Sequence, residues 1–327
     1  MMTRVRLTLT NNFVIIDRME VMMRTDRFVQ RVSAGRGLVL AGAGMLAVTG
    51  LMYPPGIPAQ PQSTSSLAFE VVSVKPHPAG DTRMQFPSFL PGGRLTSHAP
   101  LFIVIATAYN VAFQGPRLTG GPDWIRSADG VYDIEATPPK DALPQGLASN
   151  VRAERLRSML QALLIDRFKL VIRRETKEMP VYTLTVGKGG PKLKKAEIEE
   201  KDCPDSDPSG PNDGKVYCHQ ISGGRGRGLH GQAVDMADIV KHVENWTDRP
   251  LLDQTGLHGL YQIDTKGWLP IQVGPPPAAG AKAEDGTDMA DVLTVFQMFE
   301  KLGLKMEPQK DRAEIFVIEH IEKPTAN

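Results

Sequence analysis

Apolar positions recur along this chain in two rhythms, one suited to strands and one to helices, and the same order of elements is read twice. Residues 69–75 (FEVVSVK) are rich in β-branched side chains and run into Pro76, which predicts an opening strand. A Gly92-Gly93 turn leads to a short strand around Leu95. Pro100 then starts a helix over 101–111, where its missing N–H would be unpaired anyway. Tyr132, Asp133 and Ile134 head the next strand, which Pro138-Pro139 ends. Leu156, Met159, Leu160, Leu163 and Leu164 fall at the spacing of an amphipathic helix. After it Phe168, Leu170 and Ile172 alternate with Lys169, Val171 and Arg173, and 180–186 (PVYTLTV) predicts a partner strand across a polar turn, ETKE.

The second half repeats this order. Asp235 caps a helix, DMADIVKHVENW, because its carboxylate accepts from free N–H groups of the first turn. A strand of Tyr261, Gln262 and Ile263 follows the DQTG turn, and 274–280 (GPPPAAG) is a loop no helix crosses. The DMAD cap recurs at Asp288, Met289, Ala290 and Asp291. Val292, Val295, Phe296 and Phe299 form the core face of the last helix, and 304–307 and 315–319 form the last two strands. Leu170 and Leu304, Tyr182 and Phe316, and Leu184 and Ile318 are each 134 positions apart. Residues 117–137 and 249–268 both run from an Arg through a Gly turn into a Tyr-headed strand. These correspondences predict an internal duplication. The expected fold is α+β, with two related lobes at 67–193 and 229–327, each a small, mostly antiparallel sheet with helices on one face. An irregular linker at 194–228 joins them, and the opening strand has no counterpart in the second copy.

Composition places the chain among globular proteins, with 41% apolar and 23% charged residues in a length of 327 that suits two domains. Residues 1–60 read as a leader. Four Arg between 24 and 36 precede a 16-residue uncharged run at 37–52, the order of a secretory signal; the run is short for a span, which needs ~20 residues. Pro58, Ala59 and Gln60 match a cleavage site poorly, so retention as an N-terminal anchor stays open. Either outcome puts the body in the periplasm or outside the cell, with membrane contact only through that apolar segment. The formal net charge of +1 includes seven Arg and three acids of the leader, and becomes 31 − 34 = −3 without it. Such a body does not track a phosphate backbone, which excludes nucleic acid as a partner.

Cys203 and Cys218 flank a loop rich in Pro, Gly, Asp and Ser, where a disulfide would contribute about 3 kcal/mol by the chain-entropy estimate. A metal site of Cys203, Cys218, His219 and His230 is the competing reading, without any C-x-x-C or H-x-x-x-H spacing behind it. Gly226, Gly228 and Gly231 satisfy G-x-G-x-x-G by letter, but no strand leads directly into them, so no cofactor is expected. Asp253 in DQTG invites comparison with aspartic proteases, yet Gln254 separates it from Thr255; a turn-stabilising Asp is the plainer reading. Whether Asp253 and Asp264 share a pocket decides the enzymatic case. Trp124, Trp246 and Trp268, with Tyr132 and Tyr261, line a groove between the halves unless they are core side chains. No catalytic residue, cofactor or metal ligand is predicted.

Read together, FEVVSVKP, PGGRLTSHAP, GGPDWI, YDIEA, MLQALLIDRFKLVIRRETKEMPVYTLTVGKGGPKL and RPLLDQTGLHGLYQID resemble a soil-associated secreted family, a domain of unknown function expanded in acidobacteria. The resemblance covers about 67–327 and implies an exported α+β protein of unassigned activity. Some members of that family look fused to, or encoded near, membrane metallopeptidases; this chain has no HExxH. The expected function is a non-enzymatic binding or interaction module for an unknown protein or small ligand of the envelope. An exported, hydrolase-like enzyme is the alternative.

Overall fold

The computed structural model describes residues 67–324 apart from 79, 82, 205–215, 225, 270–281 and 283–292. The predicted leader, the Pro-rich loop and the DMAD cap at Asp288 lie outside the described residues.

Chain order is β1 (Val71–Pro76), β2 (Gln85–Phe89), β3 (Leu95–Pro100), α1 (Leu101–Ala108), β4 (Leu118–Gly120), β5 (Val131–Thr137), α2 (Ser149–Phe168) and β6 (Val171–Val186). It continues with β7 (Lys194–Lys195), β8 (Ser222–Gly224), β9 (Gly228–Val234), α3 (Met236–Glu244), β10 (Leu251–Asp253) and β11 (Tyr261–Asp264). The last elements are β12 (Trp268–Leu269), β13 (Leu293–Thr294), α4 (Val295–Lys301) and β14 (Leu304–His320). The fold is α+β, with several mostly antiparallel sheets. None of its described helices is long and apolar enough to cross a membrane.

Two four-stranded sheets have the orders β1-β5-β3-β2 and β7-β11-β9-β8, and a third, between them in sequence logic, has the order β10-β6-β14-β4. The predicted hairpins are corrected here. ETKE is not a turn: β6 runs unbroken through 16 residues, β14 through 17, and the two pair antiparallel along their length, Leu304 opposite Val186 and Ile318 opposite Ile172. The polar middle of the ribbon is polar because it is solvated, and it carries none of the Gly or Asn that a tight hairpin needs. Lys310 and Glu178 pair at 2.5 Å there.

The ribbon's two ends enter two different cores. The first core gathers α1, α2, β3 and β5 residues with Leu170 of the ribbon's near end and Phe316 and Ile318 of β14. The second gathers α3, α4 and Trp268 with Tyr182 and Leu184 of β6 and Leu304 and Met306 of β14. Side chains such as Phe168, Phe299 and Leu164 are completely buried, worth about 1.5–3 kcal/mol each against exposure. Each core is therefore closed by strand ends from distant parts of the sequence.

Segment 194–228 holds more order than an irregular linker. Lys194–Lys195 pairs with β11 and Ser222–Gly224 with β9, as the two outer strands of a sheet. Two-residue and glycine-rich strands carry no period-2 signal, which is why the sequence did not reveal them. Cys203 and Cys218 form a disulfide with their Cα atoms 5.7 Å apart. At α3 the expected Asp235 cap is completed by Asp238 into a reciprocal capping box, at 2.7 and 3.1 Å. Helix α4 is capped by Thr294 and Gln297 in the same way.

Candidate functional site

A cleft of about 560 Å3 opens between the end of α1, one face of α3, β10 and the far half of β14. Its walls are largely apolar, from Val111, Ala112, Val240, Leu252 and Phe316. Helix α1 ends just before it, where Asn110 takes a left-handed conformation (φ 54°) and turns the chain. Asn110 then accepts a hydrogen bond from Lys241 Nζ at 2.9 Å. Burial holds the Lys241 ammonium below its usual pKa, against the pull of Asp238.

The floor of the cleft is an ion pair. Arg117 Nε lies 2.8 Å from both carboxylate oxygens of Glu244, and its other nitrogens donate to the Leu251 carbonyl at 2.9 Å and the Glu314 carbonyl at 3.3 Å. Glu244 also accepts from the Leu251 N–H at 2.9 Å. With its side chain only 2% exposed, Glu244 is pushed above the carboxylate range by burial, while Arg117 pulls it back. This one guanidinium fastens α3, β10 and β14 to the chain entering β4. Arg117 opens the 117–137 stretch, and nothing local in the sequence marks it as the partner of Glu244. Glu244 was visible as a carboxylate on the apolar stripe of α3 with Met236, Ile239, Val240 and Val243, a position that demands a buried cation.

A second polar cluster joins α2 to α3. His219 Nδ1 lies 2.7 Å from Asp238 and 3.8 Å from Asp235, and its Nε2 lies 2.9 Å from Glu200. Two acceptors facing both ring nitrogens require a proton on each. Burial opposes that charge, but Asp238 and then Glu200 outweigh it and lift His219 to about 9. Glu200's other oxygen accepts from the Ser149 hydroxyl and from the Asn150 N–H at 2.9 Å, capping the start of α2. Burial works against Glu200's charge, yet these bonds and His219 hold its carboxyl below the ordinary range.

The residues singled out from the sequence divide as follows. Trp246 and Trp268 meet edge to face at 5.6 Å in the second core, with Trp268 fully buried. Trp124 packs against the first core, where Tyr132 meets Phe168 at 5.2 Å. Tyr261 is buried on β11. None of these five is among the residues that line the cleft: Tyr132, Tyr261 and Trp268 are buried, and Trp124 and Trp246 are partly so. Asp253 accepts from the Thr255 N–H and hydroxyl at 2.9 and 2.7 Å, as a turn-stabilising Asp. Asp264 is exposed beside His230 at 2.7 Å, well outside the cleft that Asp253 borders. The enzymatic case loses that pair. The metal reading is corrected as well: both sulfurs are spent on each other, and His219 and His230 have different carboxylate partners. Gly228, from the glycine run, is in strand β9 at φ 81°, where a side chain would run into the Thr265 carbonyl.

Residues 103–321 match a protein family described as a protein of unknown function, DUF3738. The chain belongs to this family. Its matched span begins within α1 and ends just past β14, so it includes the cleft, the cluster around His219, the second core and the part of the first core that follows β3. No curated protein and no solved structure matches the chain.

Proposed function

We propose that this member of the family is an exported, non-catalytic binding module, the sensor or partner of an envelope system, and that the cleft beside α3 holds its ligand. One observation carries the reading: four of the ionisable groups lining the cleft already have polar partners of their own. Arg117 and Glu244 neutralise each other, Asp253 is engaged in its own turn, and Lys241 donates to Asn110. Among the described lining residues there is no His, Ser, Thr or Cys, so neither a Ser–His nor a Cys–His pair is assembled on its walls. Apolar walls with a few fixed polar groups suit a small ligand or one side chain of a partner. A disulfide fits an oxidising compartment, and the order of charge and apolarity in 24–52 fits export to the periplasm or beyond.

Native mass spectrometry of the exported protein with a panel of envelope amino acids, fatty acids and cell-wall peptides tests this. Ala237 is exposed on the cleft wall, so Ala237→Trp fills the mouth at little folding cost. Adducts of unchanged ligand mass that disappear in Ala237→Trp support the binding reading. Conversion of a panel compound by the wild type, abolished by the same substitution, would replace it with an enzyme.

We infer further that the binding unit is a tandem duplicate whose lobes, expected at 67–193 and 229–327, exchange the ends of their long strands. The orders β1-β5-β3-β2 and β7-β11-β9-β8 correspond strand for strand, which gives β1 a counterpart in β7. The order β10-β6-β14-β4 is unchanged when the halves are swapped. Glu178 and Arg312 face each other in the ribbon and are 312 − 178 = 134 positions apart, so a local two-fold axis through that pair relates the copies. Around it, Leu118 beside Phe316 matches Leu251 beside Tyr182. Expressing each lobe alone tests the exchange: an isolated first lobe should dimerise through its own copy of β6, and a stable monomer of it would count against the inference.

A further inference from the structure

We propose that the Cys203–Cys218 disulfide is a redox-controlled latch, which holds Glu200 between the start of α2 and His219 and lets the two helices part when it is reduced. The argument rests on placement. Glu200 begins a single turn of helix that ends at Asp202, with Cys203 next in the chain, and His219 follows Cys218 directly. The disulfide therefore fixes the two partners of the 2.9 Å Glu200–His219 contact within a few bonds of each other. Nothing else in the described backbone of this turn does so: its hydrogen bonds are local, Asp202 to Glu199 and Cys203 to Glu200, while the preceding attachment is at Ala196, which donates to Leu260. On the other side Cys218 and His219 are anchored to β9 through Ala233. One half of the clasp is thus held by a strand, while the other is tied through Ala196, through the packing of Ile198 beside Leu260 and Ala233, and, nearest to Glu200 in the backbone, through the disulfide.

The charges around the clasp favour its closed state, but the Glu200–His219 contact is partly exposed and weak, so without the tether the regained freedom of the segment is enough to open it. Glu200, Asp235 and Asp238 face His219, Arg157 of α2 and Lys241 of α3, three carboxylates against three cations. If Glu200 leaves, Asp235 and Asp238 keep His219, and the start of α2 loses the acceptor of its Asn150 N–H. Cys203 is the more exposed of the two sulfur-bearing residues, while Cys218 is 6% exposed. A dithiol reductant attacks the Cys203 sulfur, the S–S bond breaks, and Cys218 leaves as thiolate. The reductant's second thiol then displaces Cys203, so that two electrons and two protons pass to the protein and the reductant becomes a cyclic disulfide. Because Asp238 stands one turn before Lys241 in the cleft wall, the latch also sets the position of α3 along the cleft. That last consequence rests on the binding reading above; the latch does not.

The test uses the exported protein without ligand, oxidised and then treated with dithiothreitol, read by NMR. Reduction is expected to raise amide exchange at Asn150 at least tenfold and to lower the His219 titration midpoint by one pH unit or more, with core amides such as Leu160 still protected. Glu200→Ala in the oxidised protein should reproduce both changes, and reduction should then add nothing at either site. Unchanged Asn150 exchange and an unchanged His219 midpoint on reduction would overturn the latch. Equal loss of protection at Leu160 would also overturn it, since the disulfide would then be a global cross-link. Altered ligand capture on reduction is read separately, so failure of the binding reading leaves these two signals intact.

Discussion

Replacing Glu244 by Leu strikes the point where four elements are tied together. The substitution removes the carboxylate that meets Arg117 at 2.8 Å and the acceptor of the Leu251 N–H, leaving a guanidinium with a side chain 17% exposed and no counterion. Losing one member of a buried pair costs about 3–5 kcal/mol, most of it the penalty of the charge left behind. Arg117→Met leaves the opposite charge, but Glu244 can take up a proton, and burial already favours its neutral form. Its cost should therefore be smaller at pH 5 than at pH 8. The double variant Arg117→Met/Glu244→Leu strands no charge. It should lie within about 1–2 kcal/mol of the wild type, the remainder being the Leu251 and Glu314 contacts that Arg117 also makes. Urea unfolding followed by circular dichroism at both pH values yields the full cycle. A Glu244→Leu cost below about 1 kcal/mol, or single costs that simply add in the double variant, would refute the claim that the cleft floor is held by a desolvated pair.

Two other outcomes follow from the geometry. His219 has a folded pKa of about 9 against an ordinary 6.5, so its contribution is fully present below pH 6.5 and is lost as pH rises through about 9. At about 1.4 kcal/mol per pH unit the ceiling is about 3 kcal/mol, and a side chain 24% exposed should realise about 2; stability should fall by that amount between pH 7 and 10, and His219→Gln should flatten the decline. A methyl group at Gly228 would sit 1.9 Å from the Thr265 carbonyl with φ at 81°, so Gly228→Ala should cost at least about 2 kcal/mol in thermal or urea unfolding, and a near-neutral effect would mean that β9 is placed differently.

Much of the architecture was legible locally. The 3-4 spacing of Leu156, Met159, Leu160, Leu163 and Leu164 marked the buried side of α2, and all five are buried. Asp235 marked the start of α3, and the two Cys marked their own bond. The cleft was less legible, because its residues come from segments more than a hundred positions apart. Arg117 and Glu244 are 127 apart, Asn110 and Lys241 131, and nothing within either segment names its partner. The clasp was harder to read for another reason: Glu200 and Asp238 each lie only 19 positions from His219, but nothing in the pattern of either segment says that the disulfide brings them together.

Sequence by itself determined the buried side of α2 and where α3 is capped, since both follow from the spacing of side chains on a local backbone. Only the tertiary structure decided how the long strands pair. Alternation tells a strand which face to bury, and ETKE itself shows no buried position, although it lies opposite the buried Ala313 and Ile315 of β14; on its own it carried no instruction to turn or to continue. The instruction came from the partner strand. The inward-facing backbone groups of each long strand found their partners on the other, and that pairing carried Phe316 into the first core and Tyr182 into the second.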